Sequence, residues 1–184
     1  MLYWMIPVAV TVILVFFVVG MYNGLVRRRK EVDNAWAQID VQLKRRCDLI
    51  PNLLETVKGY AAHEAGVFER VTQARTAAMA ARGTGEKIAA ETGLSGALKS
   101  LMVQVEAYPE LKANQNFLAL QEELSSTENK IAFSRQHYND SATNYNTAIA
   151  VFPACIIAAL FRFTDCELWQ IADAVEREAP KVKF

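Results

Sequence analysis

Apolar residues are distributed along this chain in two ways. The first is a solid run: from Leu2 to Gly24 (LYWMIPVAVTVILVFFVVGMYNG) no side chain is charged. About 20 apolar residues rising ~1.5 Å each cover a hydrocarbon core of ~30 Å, so the run predicts one transmembrane helix. The second is periodic. Apolar residues recur in steps of four and three at Val32, Trp36, Ile39 and Leu43, then Ile50, Leu53, Val57 and Tyr60, then Val67, Val71, Ala74 and Ala78. This heptad seam predicts a long helix packed against neighbours, with two charged seam positions, Arg46 and Glu64.

Pro51 lies inside the seam and must lose the bond from its nitrogen to the Cys47 carbonyl, so a bend is expected there. The seam keeps its phase through Ile50 and Leu53, which predicts one bent, continuous helix reaching RGTGEK (Arg82–Lys87), where Gly83 and Gly85 supply turn chemistry. Gly59 and Gly66 each weaken that helix by about 1 kcal/mol. A second helix is expected from about Lys87 to Tyr108, open to interruption at Gly93 and Gly96, before a turn at Pro109.

A third helix starts near Asn114 and carries its own seam: Phe117, Leu120, Leu124, Thr127, Ile131, Ser134, Tyr138, Ser141, Tyr145, Ala148 and Phe152, ending before Pro153. ACIIAALFRF is too short to span a bilayer; it reads as a short buried helix, with a subunit contact and shallow insertion in lipid as alternatives. The polar tail TDCELWQIADAVEREAPKVKF is expected to add an amphipathic helix before Pro180. The fold class is therefore all-α: a single N-terminal transmembrane helix (residues 1–26) leading into an antiparallel cytoplasmic bundle of three or four helices with a long first helix (residues 27–184).

Charge sets the orientation. Tyr3 and Trp4 at one end of the apolar run and Tyr22 at the other suit the two interfaces, and Arg27, Arg28, Arg29 and Lys30 follow immediately. Basic residues flanking a span stay on the cytoplasmic side, so residues 27–184 are expected to face the cytoplasm. A cleaved signal peptide is the rival reading, but its cations should precede the apolar run, and Val18 and Gly20 offer only a poor cleavage site. Residues 27–82 hold 11 Lys/Arg against 7 Asp/Glu, while residues 83–184 hold 9 against 13. The basic excess beside the span favours anionic headgroups, and neither half carries a basic stripe suited to nucleic acid. Cys47, Cys155 and Cys166 have no metal-ligand spacing and are read as thiols.

Candidate chemistry is sparse. His63-Glu64 begins like a zinc motif, but Val67 stands where the second histidine belongs. His137 has no companion ligands, no phosphate loop or nucleophile elbow occurs, and Glu122 and Glu123 point in adjacent directions on a helix as a solvated face. No catalytic, metal or cofactor residue is assigned. Gly20 and Gly24 form a GxxxG that suits helix association, or serves as a joint between membrane and bundle. SRQHYND and SATNYNT, from Ser134 to Thr147, repeat Ser, Tyr and Asn in register. On a helix, Thr127, Ser134 and Ser141 form one seam line and Ile131, Tyr138 and Tyr145 the other, which reads as helix packing, with a peptide or ligand groove as the alternative.

Several stretches resemble the LemA family: YNGLV from Tyr22, RRRKEVDNAWAQIDVQLKRRCDLIPNLLETVKGYAAHE from Arg27, YPELKANQNFLALQEELSSTENKIAFSRQHYND from Tyr108, and YNTAIAVFP from Tyr145. The family's Phe-Gly-Phe-like turn is matched by Phe161, Arg162 and Phe163, with Arg162 in place of the glycine, and its closing segment by Pro180 to Phe184. The resemblance implies an antiparallel helical bundle behind a membrane helix and no established enzymatic activity. One similar class forms magnetosome membranes, and family members tend to be encoded near membrane metalloproteases and TPM-domain proteins. The resulting expectation is a non-enzymatic, membrane-anchored helical scaffold that self-associates and organises or shapes the bacterial inner membrane, with its bundle in the cytoplasm. The alternative is an adaptor for a membrane partner such as a metalloprotease. The partners expected are the lipid bilayer, other copies of the chain and a possible second membrane protein; the bundle seam is assigned to Trp36, Ile39, Leu43, Ile50, Leu124, Ile131, Ser134, Tyr138, Ser141 and Tyr145.

Overall fold

A computed structural model describes residues 4–60 and 65–170. Six helices follow in order: α1 (Met5–Lys58), α2 (Ala65–Ala80), α3 (Thr84–Val105), α4 (Pro109–Lys112), α5 (Gln115–Ala150) and α6 (Ala154–Leu160). The fold is all-α, with no strand among the described residues.

The 54 residues of α1 span about 80 Å by helical rise, and no break separates the apolar run from the seam. Its span-length window is unburied within the chain, whereas Leu25, Val32, Ala35, Ile39, Leu43, Ile50, Leu53 and Val57 are buried. Pro51 sits inside α1 on its exposed side. The carbonyl it orphans, that of Cys47, accepts instead from Arg75 Nε of α2 at 2.8 Å. A tertiary donor thus replaces the missing intrahelical one, and the helix passes through the proline.

The long helix nevertheless stops sooner than its seam predicts. It ends at Lys58, the amide of Tyr60 turns back to the Val57 carbonyl, and α2 returns along α1 so that Val67, Phe68 and Val71 join Leu53, Leu54 and Val57 in one core. Heptad phase survived the reversal because both helices present their seams to that same core; periodicity reports a face, not a direction. Glycine is a poor helix former, and Gly59 stands at the stop. α3 runs unbroken through Gly93 and Gly96. Asn114 caps α5, its Oδ1 accepting from the amides of Asn116 and Phe117 at 2.8 and 3.1 Å, a cap worth about 1 kcal/mol.

Cross-links fix the directions. Arg28 meets Asn144 and Arg29 meets Tyr145, while at the far end Arg45 pairs with Glu123, so α5 is antiparallel to α1. Lys87 reaches Asp40 at 2.6 Å and Arg46 meets Glu91 at 3.1 Å, so α3 runs parallel to α1. The far half is therefore a four-helix bundle of α1, α2, α3 and α5. In the near half α1 and α5 lie together without α2, and a second core, containing Leu25, Ile39, Tyr138, Tyr145 and Ile149, is closed instead by α6 and the segment that follows it.

That segment departs from expectation. Residues 163–170 form no helix; they run along the α1–α5 groove, and residues 171–184, with the rest of the expected tail helix and the closing Pro180–Phe184, lie outside the described residues. The α5 seam also drifts. Ala142 and Ile149 are buried where Ser141 and Ala148 were expected, and Phe152 is 79% exposed. A helix of 3.6 residues per turn slips ~20° per heptad against a strict seven-residue repeat, which carries the buried line one position onward.

Candidate functional site

The repeated heptads of α5 hold the chain's own extended segment. Asn146 and the main chain of Cys166 exchange two hydrogen bonds: Nδ2 donates to the Cys166 carbonyl at 2.9 Å and Oδ1 accepts from its amide at 2.8 Å. Seven residues earlier, Asn139 does the same with Trp169 at 3.0 and 2.8 Å. The neighbouring tyrosines follow the same step, Tyr145 donating to the Thr164 carbonyl at 3.1 Å and Tyr138 to the Glu167 carbonyl at 2.6 Å.

The register has a metric cause. Seven helical residues advance about 10.5 Å and three extended residues about 10 Å, so one heptad of α5 matches each tripeptide of the antiparallel segment. Every contact in this ladder goes to main-chain atoms. The arrangement reads an extended backbone as a sheet edge would, with asparagine amides in place of a neighbouring strand.

Aromatic rings and cations close the groove. Trp36 of α1 packs against Tyr138 and Trp169 at ring-centroid distances of 5.1 and 5.7 Å, Trp169 is 6% exposed, and the Arg135 guanidinium lies 5.7 Å from its ring centre. Arg29 donates to the Tyr145 hydroxyl at 3.4 Å. Burial pushes the Tyr138 phenol and the Cys166 thiol above their ordinary values, so both stay protonated near neutrality and Tyr138 remains a donor.

Beyond Trp169 lies a cavity of about 310 Å³ whose lining includes Arg46, Glu91, Lys99, Glu128 and Arg135. Arg46, the charged seam position, is 2% exposed and donates to Ser95 Oγ at 2.8 Å and the Glu91 carbonyl at 3.3 Å, with Glu128 on its other nitrogen. Glu91 Oε2 stands 3.1 Å from Arg46 without an aligned hydrogen bond, and Arg46 Nε has no partner. Burial raises the Glu91 pKa above the usual carboxylate value although Arg46 opposes the shift. The cluster ties α1, α3 and α5 together. No group of three or more His, Cys, Asp or Glu side chains converges among the described residues.

Most of the remaining sequence-selected residues fall at the span end, and the others lie on α5 or outside the described residues. Tyr3, His63 and Glu64 lie outside the described residues, and Trp4 is 80% exposed at the start of α1. Tyr22 packs against Phe161 at 4.7 Å and Phe163 at 5.7 Å. Arg27 is exposed, Lys30 pairs with Asp33, and Arg28 Nη1 donates to Asn144 Oδ1 at 2.7 Å. A Cβ added at Gly20 or Gly24 would meet nothing within 4 Å. Gly24 lines an open cavity of about 340 Å³ together with Met21, Leu25, Ala148, Val151 and Ala154. Ser134 and Ser141 are half-buried and His137 is exposed. The asparagine clamps were missed as a site, although the recurrence of Tyr-Asn at seven residues was their signal.

This geometry is a bundle behind an apolar helix, with an α5 built on repeated YN pairs, and the model of the LemA family matches residues 35–184. The chain belongs to the LemA family. Protein LemA of Metamycoplasma hominis is 27% identical over 163 residues, covering 88% of this chain and 74% of that protein. Magnetosome protein MamQ 2 of Paramagnetospirillum magneticum is 25% identical over 175 residues, covering 81% of this chain and 64% of its own length. Magnetosome protein MamQ of Magnetospirillum gryphiswaldense is 25% identical over 172 residues, covering 79% and 63%. The match to the LemA model takes in every helix from the middle of α1 onward and both asparagine clamps. With one helix among the described residues long and apolar enough to cross a membrane, this LemA-family chain is membrane-associated.

Proposed function

We propose that the chain is a non-enzymatic, membrane-anchored helical scaffold that self-associates and organises or shapes the bacterial inner membrane, with its bundle in the cytoplasm. One observation carries the reading: α1 passes from the apolar run into the bundle as a single helix. A rigid connection transmits orientation, so copies that meet in the membrane also present their bundles in register. Gly20 supports association because it is exposed on α1 with nothing of the chain's own beside it and small residues let membrane helices approach closely, whereas Gly24 faces the chain's own α5–α6 corner. Arg27 to Lys30 support the cytoplasmic orientation, and the relatives named as magnetosome proteins support a role at membranes.

Crosslinking of the full chain in its membrane and native mass spectrometry in mild detergent test this; a strictly monomeric protein at membrane density removes the scaffold. The alternative is an adaptor with a membrane protein such as a protease as partner; because residues 164–169 already fill the main-chain ladder, such a partner would have to displace that segment or dock elsewhere on the bundle. Affinity purification separates the two: a scaffold recovers chiefly itself, an adaptor a stoichiometric second protein.

A further inference from the structure

We infer that the α5–α6 corner is a second membrane contact, with Phe152, Ile156 and Leu160 seated in the headgroup and acyl boundary of the leaflet beside α1. The exposed apolar side chains of the bundle elsewhere, such as Val41, Met79, Val103, Leu118 and Phe133, are dispersed along its helices, whereas Val151, Phe152, Ile156, Leu160 and Phe161 fall within one short stretch and are 50, 79, 58, 71 and 49% exposed. A contiguous apolar patch of this kind marks an interaction surface.

Its position selects lipid as the occupant. Through the buried Ile157 and Ala158, α6 belongs to the same core as Val18, Met21 and Tyr22 at the end of the apolar run, and the Phe161 ring packs tilted against that of Tyr22. An element held against the last turns of a span cannot leave the interface that the span ends in. The axis of α6 is bent 94° from that of α5; since α5 runs antiparallel along α1, α6 lies across the span direction, in the attitude of an interfacial helix. Arg162, exposed at the end of α6, and Arg27 on α1 stand ready for anionic headgroups. The open apolar cavity beside the corner, lined by Gly24, Ala148 and Ala154, has room for part of an acyl chain. Lipid contact through a wedge on one leaflet would give the scaffold a direct means of bending its membrane.

The inference rests on the reading of α1 as a span, so its test reports the two separately. The full chain is placed in nanodiscs of phosphatidylcholine and phosphatidylglycerol with an environment-sensitive fluorescent amino acid at position 160, with position 152 as a second site; both side chains are solvent-exposed, so the core is left intact. Reference probes go to Phe16 in the apolar run and Phe133 on the side of the bundle. Quenching is read from nitroxide lipids labelled near the carbonyl or near the methyl end. The expected result is about a twofold loss of emission at 160 and 152 with the shallow quencher and less with the deep one, the depth of an interfacial helix, while 16 responds to the deep quencher and 133 to neither. Quenching at 16 with 160 and 152 behaving like 133 overturns the corner and leaves the span standing. A blue-shifted probe at 160 that no lipid quenches assigns the face to a second copy and also overturns it. No quenching at 16 overturns the span, and the corner with it.

Discussion

Replacing Arg75 with alanine isolates the device that lets α1 pass through Pro51. In the native chain Arg75 Nε donates to the Cys47 carbonyl at 2.8 Å, the acceptor that the proline nitrogen leaves open. Cys47 is 4% exposed, so water is a poor substitute for the lost donor. A hydrogen bond from a charged group contributes about 1.5–3 kcal/mol, and an unsatisfied buried acceptor costs ~1–3 kcal/mol; Arg75→Ala should therefore destabilise by about 2 kcal/mol. In a Pro51→Ala background the amide of residue 51 returns to the same carbonyl, and the cost of Arg75→Ala should shrink to that of lost side-chain packing, about 0.5 kcal/mol. The double-mutant cycle then has a coupling energy of about 1.5 kcal/mol. Thermal and denaturant unfolding of the four proteins in the same detergent, followed by far-UV circular dichroism, measures it. An Arg75→Ala cost equal in both backgrounds would refute the compensation and leave Arg75 as an ordinary surface contact.

Asn146→Ala removes both bonds to Cys166 and should loosen the segment by about 2 kcal/mol, read by hydrogen exchange as a Cys166 amide opening roughly 30-fold faster; an unchanged amide contradicts the clamp. Arg162 has a φ of 57° and is followed by a 2.9 Å bond from the Phe163 amide to the Ala158 carbonyl, the left-handed helix stop in which glycine is preferred. Arg162→Gly should raise stability by about 0.5–1 kcal/mol, since it relieves ~1–2 kcal/mol of steric cost and gives part back in unfolded-chain entropy; a lowered melting temperature would count against this. Because burial raises the Glu91 pKa, the folded chain binds that proton more tightly than the unfolded chain. Glu91 therefore makes stability fall as pH rises from the ordinary carboxylate range through its raised value. Glu91→Gln should flatten that part of a stability–pH curve, and an unaltered slope would exclude Glu91 as its source.

The legible part of this protein was local. A run without charge names an apolar helix from composition alone, and Trp36, Ile39, Leu43 and Ile50 announce a packed face because helical periodicity acts over a few turns. Asn114 and the glycines near Gly83 mark ends by their own backbone chemistry. The reversal after Lys58 was illegible because the same seven-residue phase serves a helix that continues and one that folds back. The path of Thr164 to Trp169 was illegible for another reason: its main-chain partners come from side chains 19 to 30 residues away, and TDCELW carries no alternation of its own.

By itself, then, the sequence determined an all-α chain, the position of its apolar helix and most of the buried face, since each depends on residues one to seven apart. Tertiary packing makes α2 turn back to supply the donor Pro51 removes. It also decided that the polar repeat of SRQHYND and SATNYNT holds an extended segment, and that α6 lies against the end of the apolar run. Those outcomes depend on which surfaces remain uncovered once α1 and α5 have met.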